Sequence, residues 1–306
     1  MSSTVFLTGA SGFIGRHVLT SLLASGVSTK ALTRDPARVP LNGRPKLVVG
    51  ELSDRALLTR HAAGCDAIIH CASYVGPDRA RQRGVNEYGT TNLIAAAKAC
   101  GGSPVTYMST AGVYGGNVGC GRREDEIDPD PGSELAASRH RAEQLVAEYG
   151  GAVIRPNLLY GEGDRTVFLP LLKAMLRLGA WIGDRNATVS AMSTTTLGEL
   201  TAALTLVESE GSAIYHAAHP QLVTMDELLT PVFRRLKLPP PTNTISIDEA
   251  FHALQAGGVS RRQLTMVGQH NWYDSSKIWS ATHLCPPPQN RMSLAEIEYY
   301  VGEIIS

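Results

Sequence analysis

The sequence predicts an α/β fold in which a doubly wound parallel sheet carries a small C-terminal lobe. Three observations predict it. Short apolar runs alternate with stretches of helical period through the first two thirds of the chain, a glycine-rich turn joins the first run to the first helix, and the alternation loosens after Arg155. Strand and helix in regular alternation give a parallel sheet covered on both faces, because each crossover helix buries its apolar stripe on the sheet it spans.

The apolar runs are residues 4–8, 29–33, 47–49, 67–71, 105–109 and 152–155. Each is too short for a helix, and most are bounded by Gly, Asp or Pro, as buried strands are. Helical period fills residues 13–24, 54–63, 85–99 and 134–149, and Ser53 stands where the N-cap of the second helix is expected. Beyond Arg155, helices are predicted over residues 167–178, 197–209 and 225–236, with a strand-like piece at 213–217. Pro239-Pro240-Pro241 and Pro286-Pro287-Pro288 mark loops. The glycine-rich residues 112–121 predict a mobile loop over a cleft.

The strongest local signal is Thr8-Gly9-Ala10-Ser11-Gly12-Phe13-Ile14-Gly15, which follows a strand and opens a helix. In that context Gly9 permits a tight turn, Gly12 lets the backbone approach a pyrophosphate, and Gly15 lets the helix pack closely on the strand. The free N–H groups of Ser11, Phe13 and Ile14 then face the phosphates. This predicts a Rossmann-type sheet holding a dinucleotide, with residues 1–160 mainly binding it and residues 161–306 mainly forming a substrate lobe of the same single domain. The end of the second strand reads Thr33-Arg34-Asp35-Pro36-Ala37-Arg38. Two arginines four apart suit a 2′-phosphate, and Asp35 before a proline starts a turn, so NADP is favoured with NAD as the alternative.

Bulk properties exclude several classes. Lys plus Arg and Asp plus Glu both number 28, which gives no electrostatic reason to expect nucleic acid or an anionic membrane as partner. The 5 cysteines form no C-x-x-C pair and read as reduced thiols of a cytoplasmic protein. The 9 histidines lack metal-site spacing, with His216 and His219 the nearest approach, so no metal is expected. The first apolar run ends at a glycine, too early for a signal peptide or a membrane span. A small-molecule substrate is the remaining expectation.

Further motifs resemble the extended short-chain dehydrogenase/reductase family, which includes epimerases, dehydratases, dihydroflavonol-type reductases and steroid dehydrogenases. They are Gly50-Glu51-Leu52-Ser53-Asp54, Asp66-Ala67-Ile68-Ile69-His70-Cys71-Ala72-Ser73, Asn86-Glu87-Tyr88-Gly89-Thr90, Ser109-Thr110-Ala111-Gly112-Val113-Tyr114-Gly115 and Arg155-Pro156-Asn157-Leu158-Leu159-Tyr160-Gly161. The resemblance implies that Glu51 and Leu52 meet the adenine side, that Cys71, Ala72 and Ser73 lie along the cofactor, and that Pro156 and Leu158 flank it. It places the substrate-orienting hydroxyl at Thr110. It also implies a homodimer built from the helices at residues 85–99 and 134–149.

One departure stands out. The family's Y-x-x-x-K pair would fall at Leu135 and Arg139. An arginine can still hold a ribose by hydrogen bonds, but leucine carries no proton, and losing a positioned acid–base group costs about 10²–10⁴ in rate. Tyr74 is the first candidate to replace the missing acid and Tyr114 the second, since both are expected at the nicotinamide end; Glu134 and His140 are expected to point elsewhere. The basic residues 78–83 are expected to form a solvated face. The expectation is an atypical NADP-dependent oxidoreductase interconverting a ketone and an alcohol. The alternatives are an epimerase-, dehydratase- or cyclase-type enzyme without net redox change, and a dinucleotide-binding pseudoenzyme.

Overall fold

A computed structural model describes residues 3–40, 45–116, 119–207, 211–254 and 259–306. The first half runs β1 (Thr4–Thr8), α1 (Phe13–Ala24), β2 (Ser28–Thr33), β3 (Lys46–Val49), α2 (Arg55–Ala62), β4 (Ala67–His70) and α3 (Arg79–Gln82). After a π-helical turn over Arg83–Tyr88 come α4 (Gly89–Ala99), β5 (Val105–Met108), α5 (Glu134–Tyr149) and β6 (Ala152–Pro156). The remainder adds β7 (Leu158–Tyr160), α6 (Phe168–Leu178), β8 (Ala180–Ile182), β9 (Thr188–Val189), β10 (Ala191–Ser193) and α7 (Thr194–Leu206). It ends with β11 (Ala213–Ala217), β12 (Val223–Thr224), α8 (Met225–Arg235), β13 (Asn243–Ile245), α9 (Ile247–Leu254), α10 (Arg261–Gly268), α11 (Ser276–Thr282) and α12 (Leu294–Ile305).

Seven strands form one sheet in the order β11-β6-β5-β4-β1-β2-β3, and every pairing in it is parallel. The strand order reverses between β1 and β4, where Thr8 lies opposite His70. That reversal leaves a crevice at the carboxyl ends of the strands, the place where doubly wound sheets bind ligands. Alternate side chains go to opposite faces. Phe6 and Ile68 pack with Leu58, Leu93 and Val153 on one side, while Val5, Leu7 and Ile69 pack with Leu19 and Leu22 on the other. The lobe has its own core, built from Leu171, Met175, Trp181, Leu228, Phe233 and Tyr300. The chain also returns to the large sheet, because β11 closes its edge beside β6.

The predicted strands and helices all occur, some with the expected bounds, such as Phe13–Ala24 and Glu134–Tyr149, and others with shifted ends. Asp54, rather than Ser53, caps α2 by accepting from the Leu57 N–H at 2.9 Å. A carboxylate at that place also meets the positive end of the helix dipole, which a serine would do less well. Helical structure begins at Arg79, ahead of Val85, because Asp78 accepts from the Arg81 N–H and starts a turn. The helix predicted to Ser209 ends at Leu206, and Ser209 itself lies outside the described residues. The expected loop at 112–121 opens instead as a buried 3-10 turn, Ala111–Tyr114, with Val113 and Tyr114 fully enclosed. Positions 117 and 118 lie outside the described residues, and Gly121 and Arg122 are pinned to Trp272 and Asp274 by backbone bonds. Among the described residues no helix is long and apolar enough to cross a membrane, and none forms a group that holds a metal.

Candidate active site

A cleft of about 810 Å³ opens at the carboxyl end of the sheet, over the β1/β4 reversal. Its floor is the turn after β1, Ser11 and Gly12, with the first residues of α1, Phe13, Ile14, Gly15 and Arg16. A Cβ added to Gly15 would lie 2.0 Å from the Gly9 carbonyl oxygen, so only glycine lets the helix start this close to the strand end. Cys71, Ser73, Thr110, Arg139 and Pro156 wall the cleft, and Arg38 stands at its edge. The lobe adds Asn157, Leu159, Glu162, Arg165, Thr166 and Tyr299.

The wall is organised by two hydrogen-bond chains. In the first, the Thr90 hydroxyl donates to the Asn86 carbonyl at 2.5 Å, so it accepts from His70 Nε2 at 2.9 Å. His70 Nδ1 is then left to accept from the Thr8 hydroxyl at 2.7 Å, and Thr8 Oγ1 also receives the Ala72 N–H at 3.4 Å. Burial, with the Arg139 charge adding to it, pulls His70 down to about 3, so the ring is neutral at ordinary pH. The chain locks the ends of β1 and β4 to α4 directly under the glycine turn.

In the second chain, the Asn86 amide oxygen accepts from the Ser73 hydroxyl at 3.1 Å and the Tyr74 N–H at 2.8 Å, while its NH₂ donates to Ser138 at 3.0 Å. Ser73 in turn accepts from Arg139 Nε at 3.2 Å. The guanidinium is thereby aimed along the cleft wall, and no carboxylate among the described residues lies within ion-pairing distance of it. Thr110 accepts from the Gly112 N–H at 3.0 Å, which leaves its hydroxyl proton to donate to a ligand. Behind this wall Arg155 forks onto Glu143 at 2.9 and 2.7 Å and donates to the Tyr114 hydroxyl at 2.7 Å. Burial pushes Glu143 up, but the bonds from His140 and Arg155 outweigh it and hold the carboxylate below its usual range. Burial also drives the Cys71 thiol up to about 12, so it stays protonated in the cleft.

The structure therefore brings Ser11, Gly12, Phe13, Ile14, Gly15, Arg38, Cys71, Ser73, Thr110, Arg139 and Pro156 to one cleft. Other expected residues stand apart from its lining. Leu158 faces the lobe core, because β7 puts 158 and 160 on one side and the cleft takes Asn157 and Leu159. Arg34 is exposed beyond the edge, while Asp35 caps the turn that carries Arg38 by accepting from the Ala37 N–H at 3.0 Å. Glu51 is exposed, Leu52 is buried against Gly89, and Gly9 and Ala72 pack on each other beneath the lining. Tyr74 lies under the Arg81 guanidinium, 4.7 Å from its ring centroid, with its hydroxyl folded over Gly76, so it does not line the cleft. Tyr114 is buried on His216 at 2.6 Å and does not line the cleft. Glu134 and His140 are turned to Arg141 and Glu143, as expected from their places on the helix. Sequence reasoning missed Arg16, Arg165, Thr166 and Tyr299. Arg16 had a signal, being next to the last glycine of the turn; the other three reach the cleft only because the lobe folds over it.

A dinucleotide fits these residues. Gly15 leaves the space a side chain would fill, and Arg16 Nε is buried in the lining with no hydrogen-bond partner among the described residues. The sequence comparison decides the matter: the model of the NAD dependent epimerase/dehydratase family matches residues 5–202. The chain belongs to this family. A 4-hydroxy-2-methyl-3-oxo-4-farnesyl-3,4-dihydroquinoline-1-oxide ketoreductase of Stigmatella aurantiaca is 33% identical over 189 residues, covering 56% of this chain and 54% of the relative. A 2-alkyl-3-oxoalkanoate reductase of Shewanella oneidensis is 27% identical over 274 residues, covering 79% of this chain and 68% of the relative. The matches span about half the length of the first curated relatives. Among solved structures, UDP-glucuronic acid 4-epimerase from Bacillus cereus, in complex with NAD, superposes with a TM-score of 0.76 at 18% identity, covering 99% of this chain and 100% of that one. That likeness is one of fold. This member of the epimerase/dehydratase family carries the glycine turn and Thr110 in the cleft, and Leu135 and Arg139 on α5.

Proposed function

We propose that the protein is an NADP(H)-dependent oxidoreductase that interconverts a ketone and an alcohol of a small metabolite. The observation that carries this reading is the meeting of Thr110 and Arg139 on one wall of the cleft that starts at the glycine turn. Arg38 at the edge supports the 2′-phosphate, being the member of the arginine pair that lines the cleft. The two relatives named as reductases of oxo compounds support the same direction.

A bound nicotinamide supplies a hydride donor or acceptor. The chain's own residues do the rest. The Thr110 hydroxyl donates to the carbonyl oxygen and orients it. Arg139, held by Ser73, places a fixed positive charge where negative charge develops on that oxygen, and such preorganised charge is worth most in a water-poor cleft. With leucine at 135 and Tyr74 outside the lining, this site stabilises an oxyanion by charge and takes its proton from water rather than from a phenol.

The test is the loss of reduced-nicotinamide absorbance with a panel of small ketones, run with NADPH and NADH. Reduction that is faster with NADPH and lost in Thr110→Val supports the reading. Tight NADPH binding with no ketone reduced, together with ketoreductase activity gained by Leu135→Tyr/Arg139→Lys, overturns it in favour of a non-redox enzyme or a dinucleotide-binding pseudoenzyme. Leu135 is the feature that favours that second reading.

A further inference from the structure

The cleft floor carries one charged side chain. Ser11, Gly12, Phe13, Ile14 and Gly15 are neutral, and Arg16 completes the floor. The start of α1 offers a ligand its backbone N–H groups and roughly half a unit of positive charge. A pyrophosphate is more negative than that, so a nearby cation is needed to balance it. The other arginines of the cleft are engaged or stand elsewhere. Arg38 is at the edge, Arg139 is held by Ser73 on the Thr110 wall, and Arg165, 76% exposed, meets Glu303 at 3.5 Å.

Arg16 is the fourth residue of α1, and its N–H donates to the Gly12 carbonyl at 3.2 Å. Side chains on a helix lean toward its N-terminus, so this one covers the turn that precedes it. Its Nη1 reaches the lobe turn after β7, where it lies 3.6 Å from Glu162 and 3.2 Å from the place a Gly163 Cβ would take. That ion pair is longer than a hydrogen bond, and the Glu162 side chain is 70% exposed. The Arg16 Nε has no hydrogen-bond partner among the described residues. A guanidinium in a cleft wall with its inner donor unmatched is short of an anion.

We propose that Arg16 is a cofactor-binding residue that takes the pyrophosphate of the dinucleotide. The inference rests on the dinucleotide-binding half of the proposed function and not on the ketone reduced. Reaching the phosphates asks only for rotation of a flexible side chain away from Glu162, whose contact in so solvated a place is worth little. Gly163 presents no side chain to hinder that rotation, and a guanidinium bonds phosphate oxygens in charge-assisted pairs. The pyrophosphate is common to NAD and NADP, so Arg16 sets the affinity for both, whereas Arg38 sets the preference between them.

NADP⁺ and NAD⁺ are titrated separately, by calorimetry, into the wild type, Arg16→Met, Arg16→Lys and Glu162→Gln. Arg16→Met should weaken both dinucleotides about tenfold and by the same factor. Arg16→Lys should weaken both by less, because it keeps the charge and loses the planar fork. Glu162→Gln should bind both at least as tightly as the wild type, since it removes a carboxylate that competes for the same guanidinium. If Arg16→Met melts below the wild type, Arg16→Lys is read in its place, and a loss of at least about threefold for both dinucleotides is expected. Unchanged affinity in the Arg16 variants or a loss confined to NADP⁺ overturns the proposal. So does an equal loss in Glu162→Gln, which would reduce Arg16 to a strut for the lobe turn. Equal affinity of the wild type for NADP⁺ and NAD⁺, or no ketone reduced, counts against the proposed function instead, and the same titrations still judge Arg16.

Discussion

Replacing His70 by glutamine should flatten the acid side of the protein's stability profile. The ring is fully buried between Thr8 and Thr90, and burial draws it down to about 3 from an ordinary 6.5. The unfolded chain therefore takes up a proton as pH falls through 6.5, whereas the folded chain does not until about 3. The stabilisation linked to the neutral ring is complete above the unfolded value and is lost progressively as pH drops towards the folded one. By about pH 4.5 the loss amounts to roughly 2–3 kcal/mol. Glutamine keeps an acceptor and a donor for the two threonines and has no proton to gain. Urea unfolding followed by tryptophan fluorescence at about pH 8 and about pH 4.5 reads the difference. The wild type should lose roughly 2–3 kcal/mol more than His70→Gln over that interval. His216, drawn down to about 4 by burial, titrates in both proteins and cancels. Equal losses in the two would refute the argument that His70 is held neutral by this chain.

Four further outcomes are expected. Arg38→Ala should weaken NADP binding about tenfold, roughly 1.4 kcal/mol, and leave NAD nearly unchanged, with Arg34→Ala a much smaller effect; equal affinity of the wild type for both cofactors, by fluorescence titration, would count against the assignment. Gly15→Ala would press a methyl onto the Gly9 carbonyl oxygen, 2.0 Å away, and should lower dinucleotide affinity at least about tenfold in the same titration. Glu143→Gln should cost about 3–5 kcal/mol in urea unfolding, because it strands the Arg155 guanidinium, whose side chain is 2% exposed. The helices α4 and α5 are proposed to pair two copies about a two-fold axis, with Tyr88 beside α4 exposed to 56%; a monomer mass by light scattering at tens of micromolar would contradict that.

The sheet was legible because its signals are local. A strand such as Val5-Phe6-Leu7 bounded by Gly9, or a helix from Phe13 to Ala24, is set by period and punctuation within a few residues. The glycine turn was legible for the same reason, since strand, turn and helix adjoin in the chain. Less legible was where a side chain points once its neighbours in the fold are counted. Asn157, Leu158 and Leu159 are adjacent, yet their roles divide according to which face of β7 meets the lobe core. Arg34 and Arg38 look equivalent until Asp35 turns the chain between them. Tyr74 follows the strand end as expected, but Asn86 binds its backbone on both sides and Arg81 covers its ring. Tyr74's two partners lie seven and twelve residues along the chain, and no pattern of period or spacing reports them.

On the resemblance that sets Leu135 and Arg139 where the family has tyrosine and lysine, we propose that the two are one change rather than two. A lysine in that place serves partly to lower the pKa of the phenol beside it, and a guanidinium, always charged, cannot share a proton with a neighbour in that way. Once position 135 holds leucine there is no phenol to tune, and the demand that remains is for a fixed cation. Arg139 meets it with more donors than a lysine has, one of them given to Ser73 at 3.2 Å, and the side chain lines the cleft. Ser73 can hold the guanidinium only because Asn86 fixes the serine hydroxyl, and Asn86 is fixed in turn by Tyr74 and Ser138. Arg139 on α5 is thus held by residues just past the end of β4 and on the turn before α4. We propose that a site so built handles the oxyanion by charge, with the Arg139 guanidinium held in place by Ser73.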